Sequence, residues 1–409
     1  MRRHTGKWAL FAGVLIMAGT HYRCIDPFIP RVEDFTSLLV VDALITDENA
    51  TYYCTLSRTT ASLDETPERV PGATVTVKDD LGASFLFSEE FPGVYKSDSL
   101  SFRASQGRSY TLHISKGEEH YESDPVTMQE VPAIDSLYYG KDKKTLDDGI
   151  LHEGLRIYLD SEKPARGTYL RWTYEEWWKI RVPFNKLFDY IDENNIVPVT
   201  EPGNIRCWRN NFSDEIILGS AEADASSRFE KHPLLFIASD DADRLMIQYY
   251  IKVKQYSISK SEYEFRDYLK QINASGGDIF DRQPFQIYGN LHNPARPGEQ
   301  VLGYFQVSAV REASIYITRR EVDSLELRQF DYGCDILFLS PSDDFPNKPS
   351  KPVTFNQLYN IVVDAGYIFI DWLPDESGFL RQLIFVKDYC ADCTVTGNPN
   401  KPDFWIDME

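Results

Sequence analysis

The chain has 409 residues, 42% hydrophobic and 13% aromatic, a composition of folded globular proteins rather than disordered ones. Its formal net charge of -20, with no block of Lys and Arg, argues against a nucleic-acid partner, because phosphate binding needs a local excess of cations. The length suffices for one large core or two to three smaller ones.

The N-terminus is patterned for export. Arg2, Arg3 and Lys7 precede an uncharged, mostly apolar run from Trp8 to Thr20. That run is shorter than the roughly 20 apolar residues of a membrane helix and matches an export signal. No later stretch is long and apolar enough to be a membrane helix. Cys24 follows, preceded by His21-Tyr22-Arg23 rather than by a small-residue cleavage site. These residues leave Cys24 two fates: alkylation by a lipid, which makes it the new N-terminus, or a disulfide, the ordinary state of an exported cysteine. Arg23 stands where a lipid-attachment signal carries a small residue.

From residue 37 to about 130, short alternating segments such as SLLVVDALIT, ATVTVKDD and SYTLHISKG read as some seven strands. Pro71-Gly72, Pro92-Gly93 and Gly117 supply turns between them. The expectation is an all-β chain whose first unit, 37–131, is an immunoglobulin-like or prealbumin-like sandwich. Val131 to Gly149 reads as a junction. A second, larger β-rich sandwich domain, 132–409, follows with one or two short helices. Its main helical candidate is Ser261–Ala274, capped by Ser259 or Ser261 and stopped by Gly276-Gly277. Ser340 to Pro352 is a loop by composition.

Six cysteines are present: Cys24, Cys54, Cys207, Cys334, Cys390 and Cys393. If Cys24 carries lipid, five remain. Cys54 sits in the strand pattern TYYCTLSRT and reads as a buried free thiol. Cys207, Cys334, Cys390 and Cys393 are then the disulfide candidates, with three connectivities open. Cys390-Ala-Asp-Cys393 lacks both the helix that would activate a redox thiol and the second ligand pair of a zinc site. Structural bridges are the favoured reading in an oxidising compartment.

No nucleophile elbow, phosphate-binding glycine loop or His-Glu-x-x-His occurs. Asp240-Asp241-Ala-Asp243 resembles a fragment of a calcium loop without its Gly and distal Glu. No metal, cofactor or catalytic residue is therefore expected. The stretch Trp172-Thr-Tyr174-Glu-Glu-Trp177-Trp178 offers candidate binding aromatics. On a strand, Trp172, Tyr174 and Trp178 share one face and Trp177 takes the other. One face is then core, or an exposed indole stacks on a sugar ring or anchors a protein interface.

A set of stretches in order carries a resemblance: CIDPF at Cys24, LLVVDALITD from Leu38, VPGATVTVKDDLG from Val70, GRSYTLHI from Gly107 and VPAIDSLYY from Val131. Then come Cys207-Trp208, VLGYFQVSA from Val301, and the ending CADCTVTGNPNKPDFW. Together they resemble a family of Bacteroidota outer-membrane lipoproteins of unknown function (domain of unknown function 4249), often encoded beside SusC-like TonB-dependent transporters. The resemblance implies that Cys24 is lipidated, that 1–23 is a signal peptide and that 24–36 is a tether. It also implies an extracellular or periplasmic sandwich protein with no established activity, and the expected role is a surface-facing, non-enzymatic outer-membrane accessory of a SusC-like transporter, acting in capture or import of a nutrient ligand. The alternatives are a structural or adhesive surface lipoprotein and, further off, an unrecognised hydrolase.

Overall fold

The computed structural model describes residues 35–62, 65–98, 102–162, 167–200, 203–221, 228–240, 243–274, 289–341, 343 and 354–408. Cys24 and most of the Ser340–Pro352 loop lie outside them. The fold is all-β, built from several sheets, with three α-helices among the described residues.

The first sheet follows from alternation. In Leu39–Thr46, Leu39, Val41, Ala43 and Ile45 turn inward while Asp42 is exposed. Edge to edge the sheet runs Leu291–His292, Glu119–Ser123, Ser109–Lys116, Thr74–Asp79, Ser84–Phe91, Val94–Ser97, Tyr53–Arg58, Leu39–Thr46 and Val301–Ser308. Val126–Thr127 pairs with Ser109–Lys116 to one side. Two of these strands come from late in the chain, so the sheet is not confined to 37–131. Val301–Ser308 lies parallel to Leu39–Thr46, with Leu39 opposite Val301 and Thr46 opposite Ser308. Phe305 and Val307 then enter the core shared by Val41, Leu56, Val75 and Leu112.

The two ends of this sheet are stitched together by one side chain. The Asn290 amide donates to the Phe305 carbonyl at 3.0 Å and accepts from the Phe305 N–H at 2.8 Å. It satisfies backbone groups that an open sheet edge would leave unpaired. Gly303, at φ +98°, makes the parallel approach feasible, since a Cβ there would sit 1.9 Å from the Val41 carbonyl oxygen.

A second core lies between two further sheets. One comprises Arg228–Ala238, Leu151–Glu162 and Ile134–Thr145; the other Arg206–Phe212, Tyr169–Arg181, Gln248–Ile258 and Val310–Thr318, with Ile217–Ser220 beside Tyr169–Arg181. Leu155, Ile157 and Leu159 share this core with Leu170, Trp172, Ile251 and Val253. A smaller third core collects around Leu337–Leu339, Leu380–Lys387 and Tyr367–Pro374.

Helix α1 (Lys260–Ala274) matches the expected one within a residue, and the Ser259 hydroxyl accepts from the Glu262 N–H at 3.1 Å. Helices α2 (Arg319–Ser324) and α3 (Phe355–Asp364) bring the number beyond the one or two read from sequence. Both start at a threonine cap, and Thr318 with Glu321 forms a full capping box.

Four cysteines form two bridges, Cys207–Cys393 and Cys334–Cys390, which selects one of the three connectivities. The two cysteines of Cys390-Ala-Asp-Cys393 reach different partners, so the motif pins the C-terminal segment to two places. Cys54 is a buried free thiol whose pKa is raised by burial. Cys207–Cys393 spans 186 residues and Cys334–Cys390 spans 56. Loop-closure entropy then makes loss of the first cost about 1 kcal/mol more than loss of the second, within an expected range of about 2–5 kcal/mol each. Denaturant unfolding of the two double Cys→Ala variants should show that order.

Candidate functional site

The strand Tyr169–Arg181 runs through the centre of the second core. Its period-2 pattern turns Trp172, Tyr174 and Trp178 inward, where they are 1%, 6% and 5% exposed. The Trp172 indole donates to Gln255 at 2.8 Å and stacks on His232 at 4.2 Å. Burial pushes the His232 imidazole down to about 4. Trp177 faces the other way, half-buried against Phe404 at 5.5 Å, with its indole donating to Glu175. Of the candidate binding aromatics, Trp172, Tyr174 and Trp178 are therefore core, while Trp177 is half-buried and lies against the C-terminal segment. A strand buried on one face hides every second residue, and here the other face is overlaid as well.

The same periodicity carries Glu176 inward, and it is 0% exposed. Its carboxylate accepts from the Tyr249 hydroxyl at 2.7 Å and from the Asn211 amide at 3.1 Å, and pairs with Arg244 at 3.3 Å. Burial, then the Glu176 charge, drives the Tyr249 phenol well above its usual range. One residue before Arg244, the buried Asp243 accepts from the Trp178 indole and from Arg209, each at 2.9 Å. The Arg209 and Arg244 guanidiniums lie 5.5 and 5.4 Å from the Trp178 ring centre. Two ion pairs thus hold the turn Asp243–Leu245 against the sheet through partners from separate segments. Asp240 and Asp243 are drawn to different partners, and Asp241 of the calcium-loop fragment lies outside the described residues.

Leu245, the last residue of that turn, lines a cleft of about 390 Å³. Leu245, Val322 and Leu327 are its buried apolar base, 4%, 4% and 8% exposed. Arg319, Asp323, Arg328 and Gln329 stand at the rim. The capping box of α2 fixes where Arg319 and Asp323 project, and the two pair at 2.8 Å. Gln329 donates to the same Asp323 at 3.4 Å. Beside the rim, His152 has Nδ1 2.9 Å from Asp240 and Nε2 3.0 Å from Asp148. Donating from both ring nitrogens requires the imidazolium, so the Asp240 bond first, and then Asp148, raise the His152 pKa. Among the described residues no group of three or more His, Cys, Asp or Glu is arranged to hold a metal.

On the outer face of the five-stranded sheet, the C-terminal segment forms a strap. Asn398 exchanges two backbone hydrogen bonds with Trp208, each 2.8 Å, next to the Cys207–Cys393 bridge. Trp405 packs with Trp208 and Tyr250, and Trp177 and Tyr316 join them. Lys179 and Lys401 hold Asp407 at 2.6 and 2.8 Å and lower its carboxyl to about 2.

Sequence reading missed the cleft. Thr318-x-x-Glu321, at the end of the strand ASIYIT, is the one local signal that marks it, because it announces a helix. The floor and rim otherwise come from segments that only the tertiary fold unites.

Glu176→Ala would leave Arg244 without its carboxylate and should destabilise the protein by about 3–5 kcal/mol. Glu176→Gln, which keeps a hydrogen-bond acceptor for Tyr249, should cost less; chemical denaturation distinguishes them. For His152, a raised folded pKa means its stabilisation is complete below about 6.5 and is lost as pH rises through the raised value. The melting temperature should carry a downward component from pH 6 to 8 that His152→Asn removes, and an NMR titration of His152 should place its midpoint above that of an ordinary imidazole.

No curated protein matches the chain. Among solved structures, it is similar to one titled "Crystal structure of tetra-tandem repeat in extending region of large adhesion protein", at 12% identity over 55% of this chain and 46% of that one. The TM-score of 0.15 is too low for that likeness to bear on fold or role. The family described as Domain of unknown function (DUF4249) matches residues 25–314, from ahead of the first strand into Val310–Thr318. With that match spanning well over half its length, the chain belongs to the DUF4249 family.

Proposed function

We propose that the protein is a lipid-anchored, non-enzymatic accessory of a SusC-like TonB-dependent transporter in the outer membrane of a Bacteroidota cell, acting at the surface in substrate capture or import. The observation that carries this reading is the state of the cysteines. Cys207, Cys334, Cys390 and Cys393 are paired with one another and Cys54 is enclosed in the first core. Among the described residues no accessible thiol is left for Cys24 to pair with. Its position after a basic and then apolar N-terminal segment supports its use as the lipid attachment point.

The mechanism is tethering plus recognition. Each buried methylene contributes about 0.8 kcal/mol, so two or more acyl chains give a stable anchor. Residues 24–36 then act as a short tether that keeps the folded sheets near the transporter mouth and raises their effective concentration there. The adhesive alternative draws little support from the tryptophan-rich strand, where Trp172, Tyr174 and Trp178 are buried and Trp177 is half-buried against the C-terminal segment.

Affinity purification from detergent-solubilised outer membrane should recover a TonB-dependent barrel with the wild-type chain, and Cys24→Ala should abolish that recovery. Clean recovery of the protein with no barrel contradicts the reading.

A further inference from the structure

We propose that the cleft between α2 and the turn Asp243–Leu245 binds a small amphipathic anion: one carboxylate head on a short apolar body. The inference names a ligand class for the capture role proposed above and rests on that role for its biological setting.

The apolar half follows from the base of the cleft. Leu245, Val322 and Leu327 are buried in the second core and present a preformed apolar floor, flanked by Met246 and Phe330. A volume of about 390 Å³ sits near the lower end of ligand pockets, which run from about 300 to 1,000 Å³. A small ligand fits; a large one does not. The ion pairs that Asp243 and Arg244 make, each through a buried carboxylate, hold Leu245 in place without ligand, so little ordering has to be offset on binding.

The anionic half follows from which rim charges are already committed. Asp323 is engaged by Arg319 at 2.8 Å and by Gln329 at 3.4 Å. Arg328 is different. Its side chain is 81% exposed, and its approach to Asp240 is 3.7 Å, longer than a hydrogen bond. Asp240 is in turn taken by His152 at 2.9 Å. Among the described residues at this rim, the loosely held charge is therefore a cation, with five N–H donors in a planar fork suited to a carboxylate. A cationic head would have to displace an existing ion pair.

The test is isothermal titration of the purified full chain with hexanoate, hexan-1-ol and hexylammonium, together with N-acetyl-leucine, which presents the head of a peptide C-terminus. Hexanoate or N-acetyl-leucine should bind in the millimolar range or tighter. Hexan-1-ol, lacking the charge, should bind about tenfold more weakly, and hexylammonium more weakly still. Tighter binding of the acyl or of the peptide-like acid supports the proposal and assigns the source. Arg328→Glu, an exposed substitution with little bearing on folding, should abolish acid binding and favour hexylammonium. Val322→Asp should remove binding of every probe, with circular dichroism checking the fold. Equal affinity for acid and alcohol, acid binding untouched by Arg328→Glu, or no acid binding at about 10 mM each overturns the proposal. None of these readouts involves a transporter, so failure here and failure to recover a barrel are separate results.

Discussion

The pairing of Glu176 with Arg244, and of Asp243 with Arg209, is the constraint on which the organisation of the second half depends. A fully buried carboxylate is tolerable only with its charge and lone pairs met. Glu176 achieves this by drawing on Tyr249, Asn211 and Arg244, which lie on or beside three different segments of the chain. Those bonds fix the registry of the long central strand against its neighbours and lock the turn that follows Arg228–Ala238. Leu245 and Met246, the residues that follow Arg244, line the cleft together with Val322 and Leu327. Local polarity in the core thus has a consequence at the surface: it preforms a concave site.

A second constraint is topological. The first sheet takes its edge strand, Val301–Ser308, from beyond α1, and the chain then leaves directly into Val310–Thr318 of the five-stranded sheet. Ser257 reinforces the crossing, its hydroxyl donating to Gln129 at 2.7 Å and accepting from the Ala309 N–H at 3.2 Å. At the far end, the Cys207–Cys393 bridge and the aromatic strap around Trp405 fasten the C-terminal segment to the same sheet, and Cys334–Cys390 ties it to the segment after α2. The stretch CADCTVTGNPNKPDFW therefore reads structurally as a clamp. Its cysteines anchor, its Gly397 fits against Cys207 where a Cβ would come within 2.9 Å, and its Trp405 fills the aromatic cluster.

Much of the fold was legible in the sequence because alternation is a local property. The faces of Trp172, Tyr174, Trp177 and Trp178 follow directly from period 2, and the start of α1 from its serine cap, while the expected stop at Gly276-Gly277 lies outside the described residues. That periodicity also places Glu176 on the core face, yet its partners are distributed over distant segments and carry no joint signal. The parallel strand Val301–Ser308 reads as a strand, but nothing in it specifies Leu39–Thr46 as its neighbour, since parallel pairing needs no turn between the two. Helix α2, at six residues, is too short for a hydrophobic period and shows only its cap. The cleft combines these non-local features and was invisible for that reason.

The reading as a tethered accessory turns on Cys24. Pairing of four cysteines and enclosure of Cys54 remove the described partners it could have, and Arg23 is the residue in its neighbourhood that departs from a lipid-attachment signal. The most direct measurement is the intact mass, with N-terminal peptide mapping, of the protein extracted from its native membranes. The tether predicts a chain that begins at Cys24 and carries acyl groups on that residue. A chain retaining residues 1–23, or one in which Cys24 is an unmodified thiol or part of a disulfide, contradicts it.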